Sequence, residues 1–143
     1  MADLVLIVRL AGRRIAFPAS DVESVVELGG ITPAPRAAAH VAGLAALRSR
    51  VLTVIDCAAA LEIGHMADQP RQDAVIVPSG GHNYALLVEA VEDVVEAAPP
   101  VPVKAPAGAG WDRVAIGMVD AEGDLLLLVD PHRLAAGPAA QAA

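Results

Sequence analysis

GRRIAFPASDVESVVE, residues 12–27, decides the fold because the chain carries it twice: at an offset of 69 residues it lies over GHNYALLVEAVEDVVE, residues 81–96. The match extends without a gap from Leu4–Glu27 to Asp73–Glu96, with Gly12 on Gly81, Ala16 on Ala85 and Val25-Val26-Glu27 on Val94-Val95-Glu96. A second register, offset 74, sets VAGLAALRSRVLTVID (41–56) over AIGMVDAEGDLLLLVD (115–130), with Gly43 on Gly117 and Asp56 on Asp130. The five residues between the two offsets fit within the Pro/Gly stretch from Ala97 to Asp112.

Read outward from that duplication, each copy is a series of short β-branched and aliphatic runs broken by Gly, Pro or charged turns. Leu4–Leu10 is a near-continuous apolar run, and Arg14–Phe17 follows after a tight glycine turn, the signature of a hairpin. Pro18 ends that strand, since it has no ladder N–H to give. Val22–Leu28 has a mixed period and reads as strand rather than helix because it is short and β-branched. Gly43–Leu47 and Arg50–Ile55 form a second hairpin turning at Arg48-Ser49. Asp56 then caps a short helix, Cys57–Ile63, closed by Gly64, and His65–Gln72 is a polar linker. The second copy repeats the plan: strands 74–78, 83–88 and 91–96, a Pro-rich loop 97–112, a hairpin 114–119/125–129, and a helix capped by Asp130 with Pro131 at its first position.

Five strands of this length make a poor open sheet but close into a small barrel that hides its edges. The expected fold is therefore all-β: two tandem five-stranded, SH3-like barrels packed side by side, each half followed by a short helix. Residues 4–64 form the first half and 73–136 the second, within a single domain spanning 1–137, and the tail from Gly137 frays. A barrel of this size is near the lower limit of independent stability, so the halves must pack together. Alternation lets only about half of Val22, Val25, Val26, Val91, Val94 and Val95 face a barrel interior; the rest face a cleft or a partner. Trp111, the one tryptophan, sits in the Pro/Gly loop and either caps a barrel or serves as an exposed anchor.

Composition narrows the function. The chain is 55% hydrophobic but only 2% aromatic, so Val, Leu, Ile and Ala must fill the core. Its formal net charge is −7, with no polybasic segment, which excludes nucleic acid and anionic membrane as partners. The single Cys57 rules out an internal disulfide and fits a reducing cytoplasm. The N-terminal apolar run is too short for a signal peptide or a membrane span, and Arg9 breaks it.

No catalytic, cofactor or metal set is legible. Asp56 and Asp130 invite reading as paired acids, but each directly precedes a helix start, and capping explains both. His40, His65, His82 and His132 are widely separated and have no ligand spacing. Ser20, Ser24, Ser49 and Ser79 lack a nucleophile elbow, and Gly80-Gly81 is followed by no Lys-Ser/Thr, so it is a hairpin turn rather than a phosphate loop. Cys57, at a helix start, is a small apolar filler with at most weak reactivity.

ITPAPRAAAHVAGLAALRSRVLTVIDCAAAL (31–61) resembles the CheW-like domain family of bacterial chemotaxis coupling proteins and of the CheA histidine kinase C-terminus. The family pattern is a Pro-containing loop, then Val-x-Gly-Val-x-Asn-Leu-Arg-Gly, then Val-x-Pro-Val-x-Asp-Leu. Val41, Gly43, Leu47, Arg48, Val54, Ile55 and Asp56 fit it, and LLLLVDPHRLA (125–135) is similar to the family's ending. The departures are Ala46 for Asn, Ser49 for Gly, Thr53 for Pro, and Ser24 where many members carry an acid. The resemblance implies a pair of small barrels with a hydrophobic groove between them and no catalysis. It implies a cytoplasmic adaptor that docks a chemoreceptor tip and the regulatory domain of a CheA-type kinase, recruited to membrane-bound receptor arrays. It also implies partner contacts at Val22, Ser24, Val25, Gly43, Leu47, Arg48, Ala74 and Val94. The alternatives are a small-ligand sensor or enzyme using the same cleft, and a ring component with no receptor contact.

Overall fold

The computed structural model describes residues 3–67 and 69–138. The strands are β1 (Asp3–Leu10), β2 (Arg13–Pro18), β3 (Ser24–Leu28), β4 (Val41–Leu47), β5 (Arg50–Asp56), β6 (Gln72–Ser79), β7 (His82–Val88), β8 (Ala90–Ala97), β9 (Ala115–Ala121) and β10 (Asp124–Val129). Three helices, α1 (Cys57–Ala60), α2 (Ala109–Val114) and α3 (Pro131–Ala136), and a 3₁₀ turn at Ala19–Asp21 complete the fold. The fold is all-β, with two five-stranded units.

Membership of the two units corrects the expectation that residues 4–64 close one barrel and 73–136 the other. The first unit is a closed barrel in the order β1-β2-β10-β9-β8, and the second is a sheet in the order β3-β6-β7-β5-β4. Each therefore takes its leading hairpin from one copy of the repeat and its other three strands from the other copy. The registers are the same in both. Leu6 faces Val94 in the first unit where Val75 faces Val25 in the second. In the parallel pairs, Leu128 faces Ala16 where Val54 faces Ala85. The hairpins β1–β2 and β6–β7 are locally equivalent, so either can complete the same barrel, and the chain exchanges them.

The exchange explains the continuous apolar runs. In β1, Val5 and Ile7 point into the first barrel, while Leu6, Val8 and Leu10 point into a central layer shared by both units. In β6, Ala74 and Ile76 point into the second unit, and Val75 and Val77 join the same central layer. A strand buried on both faces shows no alternation of apolar and polar residues. The seam between the units is thus largely a packed core, with Phe17, Ile15, Ile55, Leu86 and Leu134 fully buried in it, rather than the apolar cleft the sequence suggests.

The helices belong to that layer. Asp56 and Asp130 cap them as expected: Ala59 N donates to Asp56 Oδ1 at 3.0 Å, and His132 N donates to Asp130 Oδ1 at 2.9 Å. α1 is shorter than the expected Cys57–Ile63 because the chain turns at Leu61 and Glu62. The loop expected over 97–112 instead contains α2. Gly110 lets this helix lie directly on the Leu61 carbonyl, where any Cβ would collide. Trp111 is thereby 7% exposed and packed in the central core, with the Arg13 guanidinium 5.2 Å from its ring centroid. Aromatic burial plus a cation over the ring settles its role as core rather than exposed anchor. Gly137, expected to begin a frayed tail, is buried against the His40 ring; from residue 139 on, that expected tail lies outside the described residues.

Candidate docking site

The first unit closes where Ala97 of β8 pairs with Ala121 of β9. In the second unit the corresponding strands, β3 and β4, are the two ends of the sheet order. A groove opens there, lined by Glu23, Ser24, Val25 and Val26 on one side and by Leu47, Arg48 and Arg50 on the other. It brings together four of the residues singled out from the sequence: Ser24, Val25, Leu47 and Arg48.

Their settings differ. Val25 is 42% exposed, an aliphatic side chain on an unpaired sheet edge. Leu47 is half-buried against the second unit's core. Arg48 sits at the tip of the β4–β5 hairpin with φ +58° and is exposed. No hydrogen bond or ion pair of Arg48 is found among the described residues, which leaves its fork of donors available.

The other named positions lie elsewhere. Val22 is half-buried against the central core, and Ala74 is fully buried inside the second unit. Gly43 is buried beneath the Thr32 carbonyl, where a Cβ would collide; it lets β4 approach the 31–32 segment, and Thr32 and Leu44 exchange hydrogen bonds across that contact at 2.8 and 2.7 Å. Val94 is the counterpart of Val25 on the first unit and is 50% exposed.

Three residues of the groove, Glu23, Val26 and Arg50, are absent from that set, and two of them form an ion pair. Arg50 donates to both carboxylate oxygens of Glu23, at 3.1 and 2.6 Å, tying β5 to the approach of β3 across the open edge. The hydrogen bond from Arg50 holds the Glu23 carboxyl below its ordinary range, and the same contact raises the Arg50 guanidinium. The duplication held the signal. Glu23 aligns with Glu92, and Arg50 with Asp124. The first unit therefore has two acids where the second has an ion pair, and Arg14 bridges them with bonds of 2.9 Å each. Hydrogen bonds to Asp124 and then Glu92 raise the Arg14 guanidinium.

A second exposed apolar surface is the mouth of the first barrel, where Leu4 and Ile116 rim an opening onto Val5, Val119 and Leu128. Cys57 offers no reactive thiol: burial, and then the charge of Asp56, push it up from its ordinary range, which reverses the expected helix-start activation.

An open sheet edge, solvent-facing valines and an exposed arginine at a hairpin tip give the two fused β-units a candidate docking face. The chain belongs to the CheW-like domain family, whose model matches residues 4–138. Its fold is that of the scaffolding protein TtCheW from Thermoanaerobacter tengcongensis, with a TM-score of 0.76 and 24% identity over 94% of this chain and 92% of that one. No curated protein matches it in sequence. The CheW-like domain is a non-enzymatic scaffolding and coupling module; this chain is a chemotaxis-type scaffold or adaptor and not an enzyme. No helix among the described residues is long and apolar enough to cross a membrane.

Proposed function

We propose that this chain couples a chemoreceptor's cytoplasmic tip to the regulatory domain of a CheA-type kinase in the cytoplasm, within membrane-bound receptor arrays. Docking uses the groove between β3 and β4. The observation that carries this reading is the convergence of Ser24, Val25, Leu47 and Arg48, drawn from two distant sequence segments, on one open edge. Apolar Val25 and Leu47 supply contact area, and Arg48 supplies donors to partner carboxylates or carbonyls. Single contacts of this size are weak, and arrays strengthen them by multivalency.

The test is a pull-down with a receptor hairpin-tip fragment and, separately, with the kinase regulatory domain. Arg48→Glu and Val25→Asp should each weaken one of these partners about tenfold, or 1.4 kcal/mol. Retention of both partners by both variants would reject the groove. A second reading, a ring component without receptor contact, draws on charge. The β4–β5 tip carries Arg48 and Arg50, whereas the equivalent β9–β10 tip carries Asp120, Glu122 and Asp124. Opposite charge on equivalent faces suits head-to-tail association. Salt-sensitive self-association with no receptor binding would favour it.

A further inference from the structure

Sequence spacing sets metal aside, since the four histidines are far apart along the chain. The fold brings one of them to two carboxylates. Asp21 ends the 3₁₀ turn after β2, while Asp130 and His132 stand at the start of α3. His132 Nε2 lies 3.2 Å from Asp21 Oδ1, across 111 residues of sequence. One donor atom from each of Asp21, Asp130 and His132 lies within 4.8 Å of the others, and all three residues are half-buried. The neighbouring charge is Arg133, whose Nε is 3.5 Å from Asp130 Oδ2.

We propose that Asp21, Asp130 and His132 form a site for a divalent cation of the zinc class. Zinc binds imidazole nitrogen and carboxylate oxygen at about 2.0–2.2 Å, so two ligands of one tetrahedral ion sit about 3.4 Å apart. The Asp21–His132 separation already has that spacing, and a carboxylate oxygen of Asp130 lies within 4.8 Å of both donor atoms. One imidazole with two carboxylates, and a fourth position open to water, suits zinc; magnesium and calcium prefer all-oxygen shells.

The duplication gives independent support. Asp130 has a counterpart in Asp56, because both cap helices. His132 and Asp21 do not: their equivalents are Ala58 and Ala90. The same scaffold closes with two alanines in the other half, so packing does not require the histidine and the acid. An ion there joins the turn after one copy's hairpin to the helix of the other copy, pinning the exchanged strands where they cross.

The test uses the untagged full chain, stripped with EDTA and dialysed, then titrated with ZnCl₂ and separately with MgCl₂ by calorimetry and thermal unfolding. One equivalent of zinc should bind and raise Tm, with magnesium at least tenfold weaker. His132→Gln should weaken zinc at least tenfold. Asp130→Asn, which keeps the helix cap, should do the same, and both variants should leave the metal-free Tm within a degree or two. Absence of stoichiometric zinc binding, equal affinity for magnesium, or undiminished zinc binding by both variants would overturn the proposal and leave the three residues as an ion pair and a cap.

Discussion

Glu23 and Arg50 occupy the same places as Glu92 and Asp124, yet one pair attracts and the other repels until Arg14 intervenes. The Glu23–Arg50 pair spans the open edge of the second unit, Arg14 ties β2 to β8 and β10 in the closed first unit, and both do so with side chains in contact with water. Screening keeps such a pair weak, so it acts more as a fastener than as a source of stability. Its pH dependence follows from the sign of the shift. The folded Glu23 carboxyl titrates below its unfolded value, so its contribution is present at neutral pH and is lost as pH falls through the folded value. Glu23→Gln should therefore lower Tm slightly at pH 7, and the difference from the wild type should shrink as pH falls through the folded carboxyl's lowered value. A difference that persists unchanged into acid would show that the substitution acts through packing instead. These residues escaped a reading that looked for motif matches, because an exposed ion pair has no local signature; only the alignment of one half on the other makes it visible.

At the scale of elements, hairpins and caps were legible because their chemistry is local. Gly12, Gly81 and Gly123 mark turns, Arg48-Ser49 turns β4 into β5, and Asp56 and Asp130 start helices with a hydrogen bond that spans only two or three residues. α2 was not legible. A six-residue helix in a Pro/Gly stretch has little intrinsic propensity, and it forms because Trp111 and Val114 find a tertiary pocket between α1 and α3. Gly43 packs beneath the Thr32 carbonyl of its own chain, a close approach that its residue type alone does not reveal. Gly43→Ala places a methyl against the Thr32 carbonyl, a backbone atom that cannot swing aside. The expected loss is about 1–3 kcal/mol of stability, the range for overpacked sites. Chemical denaturation measures it, and Gly29→Ala, where the nearest neighbour is an ordinary 3.4 Å away, is the control. Equal stability of the two variants would mean that the 31–32 segment yields freely.

For the whole molecule, the duplication made ten strands and two equivalent units visible but left their partnership open. A hairpin such as β1–β2 carries the same apolar surface whether it completes its own copy or the other, so sequence similarity between the copies cannot distinguish the two closures. The exchange has a physical consequence. Residues 4–64 alone hold β1 and β2 without β8, β9 and β10, and β3, β4 and β5 without β6 and β7. Neither incomplete set closes a barrel, and the central layer loses Val75, Val77, Leu86 and Leu134 from its far side. The fragment 73–136 lacks the complementary pieces. Each fragment expressed alone should show no cooperative thermal transition, because too little apolar surface is buried to offset the chain entropy. Mixed in equal amounts, they should recover the β-sheet signal and a cooperative transition whose midpoint rises with concentration, since folding has become association. A fragment that folds cooperatively by itself would mean that its hairpin returns to its own copy, and the crossed arrangement would then be one of two closures the sequence allows rather than the one it specifies.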